Sequence, residues 1–141
     1  MGSGIARTTG NAKADFSAVD RRLREIVAPL RSRLVATKDS PEGLALEIPG
    51  LEGKPWGYVA GIRIGKRYVS YYLMSVYAFP DLMASMSPEL RRRMQGKSCF
   101  NFTTVDEPLF AELDRITQAG FERFLTLARD VADQKQPTRS R

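Results

Sequence analysis

The sequence predicts an α+β fold: an antiparallel sheet of four to five strands, covered on one face by an N-terminal and a C-terminal helix, with short helices before the last strand. Three observations predict it. Apolar residues recur at helical spacing in Phe16, Val19, Leu23, Ile26, Val27 and Leu30. They do so again in Leu109, Phe110, Leu113, Ile116, Phe121, Phe124, Leu125 and Ala128, each set forming one face of a helix. Between them lies "WGYVAGIRIGKRYVSYYLMSVY", two alternating runs about a Gly-Lys pair, which reads as a hairpin.

Taken in order, residues 1–14 are small, polar and glycine-containing, suiting a disordered arm before a single domain at 15–134 and a disordered tail at 135–141. In the first helix Ser17 with Asp20 forms a capping arrangement, and Pro29 ends the regular part near Ala28. "RLVATK" and "LALEIP" are β-prone runs separated by the turn formers of "DSPEG". In the central hairpin a two-residue loop at Gly65-Lys66 sets Ile64 opposite Arg67, Ile62 opposite Val69, Ala60 opposite Tyr71 and Tyr58 opposite Leu73 on the core face. Arg63 with Tyr68, Gly61 with Ser70, Val59 with Tyr72 and Gly57 with Met74 then share the other face. "FPDLMASM" and "SPELRRRM" read as short helices, the second with Ser87 as cap and Pro88 at its first position. "SCFNF" alternates as a strand, and the last helix starts near Asp106 with Pro108 in its first turn.

At 141 residues, 43% apolar and 27% charged, the chain has a one-domain length and an ordinary globular composition, and can bury about two thirds of its unfolded surface. No apolar run approaches the roughly 20 residues that span a bilayer. The single cysteine allows no internal disulfide, and the first residues lack the apolar stretch of a signal peptide. A soluble, cytoplasmic protein is expected, without membrane partners. The net charge of +6 is spread over Arg21, Arg22, Arg24, Arg31 and Arg33, over Arg91, Arg92 and Arg93, and over the termini. A basic surface attracts polyanions through counterion release but also serves solubility, and no usual nucleic-acid motif accompanies it.

"MQGKSCFNF" places Gly-Lys-Ser beside Cys99. A phosphate loop needs an earlier glycine five positions before Gly96, and that position is Arg91; helix and strand also come in the reverse order. Gly96 suits a left-handed helix end instead. Thiol catalysis needs a base, usually histidine, and the chain has no histidine, so Cys99 reads as an inert, half-buried residue sharing a strand face with Asn101. The same absence removes the usual zinc ligand sets. Asp106, Glu107, Glu112, Asp114, Glu122, Asp130 and Asp133 alternate with Arg115, Arg123 and Arg129 along the last helix, the pattern of a solvated helix with charge pairs. No catalytic residue, metal ligand or cofactor is selected.

The run "YVSYYLMSVYAFPDLMASMSPELRRRMQGKSCFNF", followed by an acidic "DE" and by "LFAELDRITQAGFERF", resembles the YdhG-like domain family, a domain of unknown function, over residues 16–128. "GIRIGKRYVSYYL", "SPELRRRMQGKSCFNF" and "ITQAGFERF" are its most specific elements. The resemblance implies a frataxin-like two-layer α+β fold and brings with it an iron-carrying alternative, which would need exposed carboxylates near the first helix. Here that helix carries five arginines against Asp20 and Glu25.

The expected function is a non-catalytic binding module acting through the open face of its sheet on a small molecule or protein, as monomer or homodimer. The alternatives are an iron-binding chaperone and a nucleic-acid-associated basic protein. The binding candidates are Arg63, Tyr68, Ser70, Tyr72, Lys97 and Asn101, because tyrosine and arginine dominate binding hot spots. Small Gly57 and Gly61 beside Tyr68 and Tyr72 are expected to leave shallow hollows there.

Overall fold

Helix α1, residues 16–27, begins the part of the chain that the computed structural model describes, residues 16–134. The two expected terminal segments, 1–14 and 135–141, lie outside these residues. Ser17 falls inside α1 instead of capping it. Val19, Leu23, Ile26 and Val27 are its buried stripe. Pro29 has no N–H to continue the ladder, so regular α-helix stops at Val27 and a 3-10 segment, Ala28–Arg33, carries Leu30 into the core.

Six strands follow: β1 (Val35–Ser40), β2 (Gly43–Glu47), β3 (Tyr58–Ile64), β4 (Val69–Leu73), β5 (Met94–Gln95) and β6 (Cys99–Phe102). They form one antiparallel sheet in the order β1-β2-β3-β4-β6-β5. The sixth strand beyond the expected number is β5. The chain turns sharply after α4 (Pro88–Arg91), and Met94-Gln95 pairs with β6 through a turn in which Gly96 has φ of 77°. Gly96 is left-handed as expected, but as a hairpin residue and not a helix end.

Two features of the central hairpin depart from the expected register. The loop spans four residues, closed by Gly65 N donating to Tyr68 O at 2.9 Å. Ile64 therefore pairs with Val69, Ile62 with Tyr71, Ala60 with Leu73 and Gly61 with Tyr72. An even slip keeps every side chain on its side of the sheet, so Ile62, Val69 and Tyr71 still reach the core. At the start of β3, however, Glu47 pairs with Tyr58 while Leu46 pairs with Ala60. The extra residue, Val59, is a bulge that exchanges the two sides: Val59 is buried, and Tyr58 goes to the outer face. Gly57 is not on that face at all; it ends a 3-10 turn, Pro55–Gly57, pressed against the Leu51 carbonyl.

The second strand of the hairpin ends at Leu73, earlier than alternation suggests. Helix α2 (Met74–Ala78) takes over, burying Ser75 and Val76, and α3 (Pro80–Ala84) and α4 continue the helical layer. Ser87 caps α4, its Oγ accepting from Leu90 N at 3.1 Å. Asp106 caps the long helix α5 (Glu107–Gln134) through Leu109 N. One core joins α1 and α5 to the inner sheet face, where Phe102 and Phe110 meet edge to face at 5.0 Å. No helix among the described residues is long and apolar enough to cross a membrane.

Candidate binding face of the sheet

Strand alternation assembles the outer face in rows. One row runs Gly43, Arg63, Ser70 and Asn101 across β2, β3, β4 and β6. The ladder continues one step to Arg93, whose carbonyl accepts from Asn101 N at 2.8 Å. The next row runs Lys38, Ala45, Gly61, Tyr72, Cys99 and Gln95. The helices pack on the opposite side.

A hydrogen-bond network fixes the centre of this face. Ser70 Oγ donates to Asn101 Oδ1 at 2.7 Å, and Cys99 Sγ donates to the same oxygen at 3.4 Å. Asn101 Nδ2 donates to Gln95 Oε1 at 2.8 Å, which also accepts from the Tyr68 hydroxyl at 3.4 Å. These contacts orient both amides, and the Gln95 NH2 group is left pointing to solvent with its donors unused among the described residues. The Tyr58 hydroxyl lies over Gly61, where a Cβ would fall 1.7 Å from the hydroxyl oxygen and 2.9 Å from the Leu44 carbonyl. Glycine is needed here to let the ring cross the strand, and the hollow expected at Gly61 is filled. Glu47, bonded by the Thr37 hydroxyl, closes this end of the face.

Two ionisable groups of this face are shifted by their surroundings. Burial pushes the Tyr58 phenol well above its ordinary 10.0, and Tyr72, Glu47 and Cys99 nearby add to the shift. Burial also pushes the Cys99 thiol up, opposed by hydrogen bonds with Ser70 and Tyr72. Both groups are thus neutral at neutral pH, and neither Tyr58 nor Cys99 is activated as a nucleophile by its neighbours.

Of the six expected site residues, Tyr68, Ser70 and Asn101 share the network, with Tyr72 in the adjoining row. Arg63 is exposed beside Ser70. Lys97 is set apart: it sits in the β5–β6 turn, whose Ser98 carbonyl accepts from Leu73 N, beyond Tyr72 and away from Arg63. Sequence reasoning missed Gln95 and Tyr58. Gln95 could have been found by treating Gly96-Lys97-Ser98 as a hairpin turn, which sets Gln95 opposite Cys99; the bulge that turns Tyr58 outward leaves no comparable sign.

The carboxylates of α5 are mostly solvated, as expected, but Glu112 is buried at 9% exposure. It accepts from Ser87 N at 2.6 Å and Ser87 Oγ at 2.7 Å, a structural anchor for α4. Asp20 and Glu25 of α1 are held by Arg24 and Arg22. Among the described residues no three His, Cys, Asp or Glu side chains gather as a metal site. Comparison with family models, curated proteins and solved structures gives no match to this chain.

Proposed function

We propose that the chain is a non-catalytic binding module whose recognition surface is the outer sheet face around Tyr68, Ser70, Tyr72 and Asn101. The observation that supports this reading is the network itself: a buried Ser70 and a half-buried Asn101 orient one another and Gln95 on a face that no helix of the described residues covers, beside the half-buried rings of Tyr68 and Tyr72. Such preorganisation lowers the entropy lost on binding, whereas a face with only a structural purpose does not need outward-facing amide donors. The resemblance to the YdhG-like family is part of this proposal and is compatible with it. An iron-chaperone reading has no donor set in its favour among the described residues, where Asp20 and Glu25 of α1 are engaged by arginines.

The test is an amide NMR titration with a panel of small aromatic compounds, anionic and neutral. Shifts are expected at Tyr68, Ser70, Tyr72, Gln95 and Asn101, and are expected to vanish in the Tyr72→Ala variant. Shifts confined instead to the groove between α1 and α5 lined by Arg22, Glu25 and Glu107 would move the binding site there and overturn the reading.

A further inference from the structure

All seven salt bridges among the described residues lie on the helical layer or tie it to Asp39 of β1: Arg22, Arg24, Arg31, Arg33 and Arg123 are the cations engaged. Among the described residues, cations without an ion pair remain on both layers: Arg21, Arg115 and Arg129 are exposed on the helices, and a second group lies on the sheet side. Arg63, Lys66, Arg67 and Arg93 are exposed, and none of them makes a side-chain hydrogen bond or ion pair among the described residues. The topology brings these four to one end of the outer face. Lys66 and Arg67 sit in the β3–β4 loop, Arg63 stands opposite Ser70, and Arg93 stands opposite Asn101 on the far side. Three strand spacings separate Arg63 from Arg93, about 14 Å, with Ser70 and Asn101 between them. Glu42, beside Ile64 at this end, accepts from Ser40 and keeps its negative charge against the four cations. Tyr68 and Tyr72 project from the same face two rows apart.

We infer that this face binds single-stranded nucleic acid, with phosphates against Arg63, Lys66, Arg67 and Arg93 and bases against Tyr68 and Tyr72. The inference rests on the proposed function and names its partner. Charge complementarity selects a polyanion: a second copy docked on the same patch would bring Arg63 and Arg93 against like charges. Rings beside a cationic track are how sequence-tolerant single-strand binders work, because every base has a face to stack. The oriented amides of Gln95 and Asn101 offer donors to base edges. A duplex fits poorly, since a broad sheet face presents no helix to a major groove.

The experiment is fluorescence anisotropy of labelled oligo-dT and oligo-U, each about 12 nucleotides and within the usual site size, titrated with the full chain between about 50 and 200 mM salt. Binding should weaken steeply with salt. Arg63→Ala with Arg93→Ala should weaken it further and reduce the slope of log affinity against log salt by about 1.4, two phosphate contacts at about 0.7 each. Tyr68→Leu and, separately, Tyr72→Leu should each lower affinity about tenfold with the slope unchanged. Two variants are used so that one remains informative if the other fails to fold, as checked by melting. A control with the same charge loss on the outer side of α5, Arg115→Ala with Arg129→Ala, should change the slope little.

Absence of binding at the lowest salt overturns the inference. So does a control as damaging as the face variant, which would mean diffuse attraction to a basic protein, or competition by polyglutamate equal to that of unlabelled oligonucleotide. Amide NMR separates the two failures. If oligonucleotide leaves the spectrum unchanged while a small aromatic compound still shifts Ser70, Tyr72 and Asn101, the partner is wrong and the face stands; if neither shifts them, both readings fall.

Discussion

Cys99 shows how a residue's neighbours decide its chemistry. Its thiol has no histidine to activate it, its strand position half-buries it, and desolvation raises its pKa above the ordinary 9.0. Iodoacetamide should therefore alkylate it more slowly than a free thiol at neutral pH, with the rate climbing only as pH passes the ordinary thiol range. A rate at pH 7 equal to or above that of glutathione would contradict the burial and reopen a reactive role. Tyr71 makes the opposite use of burial: its hydroxyl lies wholly inside and shares a 2.8 Å hydrogen bond with Thr117 Oγ1, tying β4 to α5 without exposing any polar atom.

At the scale of elements, the short helices between β4 and β5 are the part of the fold least able to stand alone, since none exceeds five residues and isolated helices of that length are unstable. Their stability must come from tertiary contacts, and Glu112 supplies one of the strongest for α4. Its two oxygens accept from the Ser87 amide and hydroxyl, while the hydroxyl oxygen accepts in turn from Leu90 N. Glu112→Ala leaves both Ser87 donors without their carboxylate and is expected to cost about 1.5–3 kcal/mol, the range for hydrogen bonds to a charged group. Glu112→Gln keeps one acceptor oxygen and should cost less. Urea denaturation checks both; equal, negligible losses would show that water replaces the carboxylate and that α4 is held by Leu90 alone.

Over the whole molecule, the ion pairs of the described residues gather on the helices and where they meet β1. Arg22 joins α1 to Glu107 of α5, Arg24 and Arg31 join the first helical segment to Asp39 of β1, and Arg123 joins α5 to Asp81 of α3. These arginines hold the Asp39, Asp81 and Glu107 carboxyls below their ordinary 3.8, 3.8 and 4.5. A depressed carboxyl pKa means that the unfolded chain binds more protons as pH falls, so the contribution is complete above the ordinary values and is lost on acidification below them. The melting temperature should stay level from pH 7 to about 5 and fall below about 4.5. Asp39→Asn, Asp81→Asn and Glu107→Gln combined should make the fall shallower, and added salt should weaken it because the pairs are exposed. A melting temperature that rose on acidification would reverse this account.

The two long amphipathic helices, the caps at Ser87 and Asp106, and the sides of Ile62, Val69 and Tyr71 were determined by the sequence alone. Each rests on interactions among near neighbours or on a period that burial enforces, and an even slip in the hairpin leaves that period unchanged. What only the tertiary structure decided depends on contacts between distant segments. β5 exists because Met94 and Gln95 find β6, and the bulge at Val59 exists because β2 and β3 must both fill the core. Tyr58 is turned outward by that bulge, and Gln95 meets Tyr68 across twenty-seven positions of chain. Glu112 is buried because α4 folds back over it. Of the candidate site, Arg63, Tyr68, Ser70, Tyr72 and Asn101 were legible from alternation, while the network that orients them was not, since a pattern along one strand carries no record of which strand lies beside it.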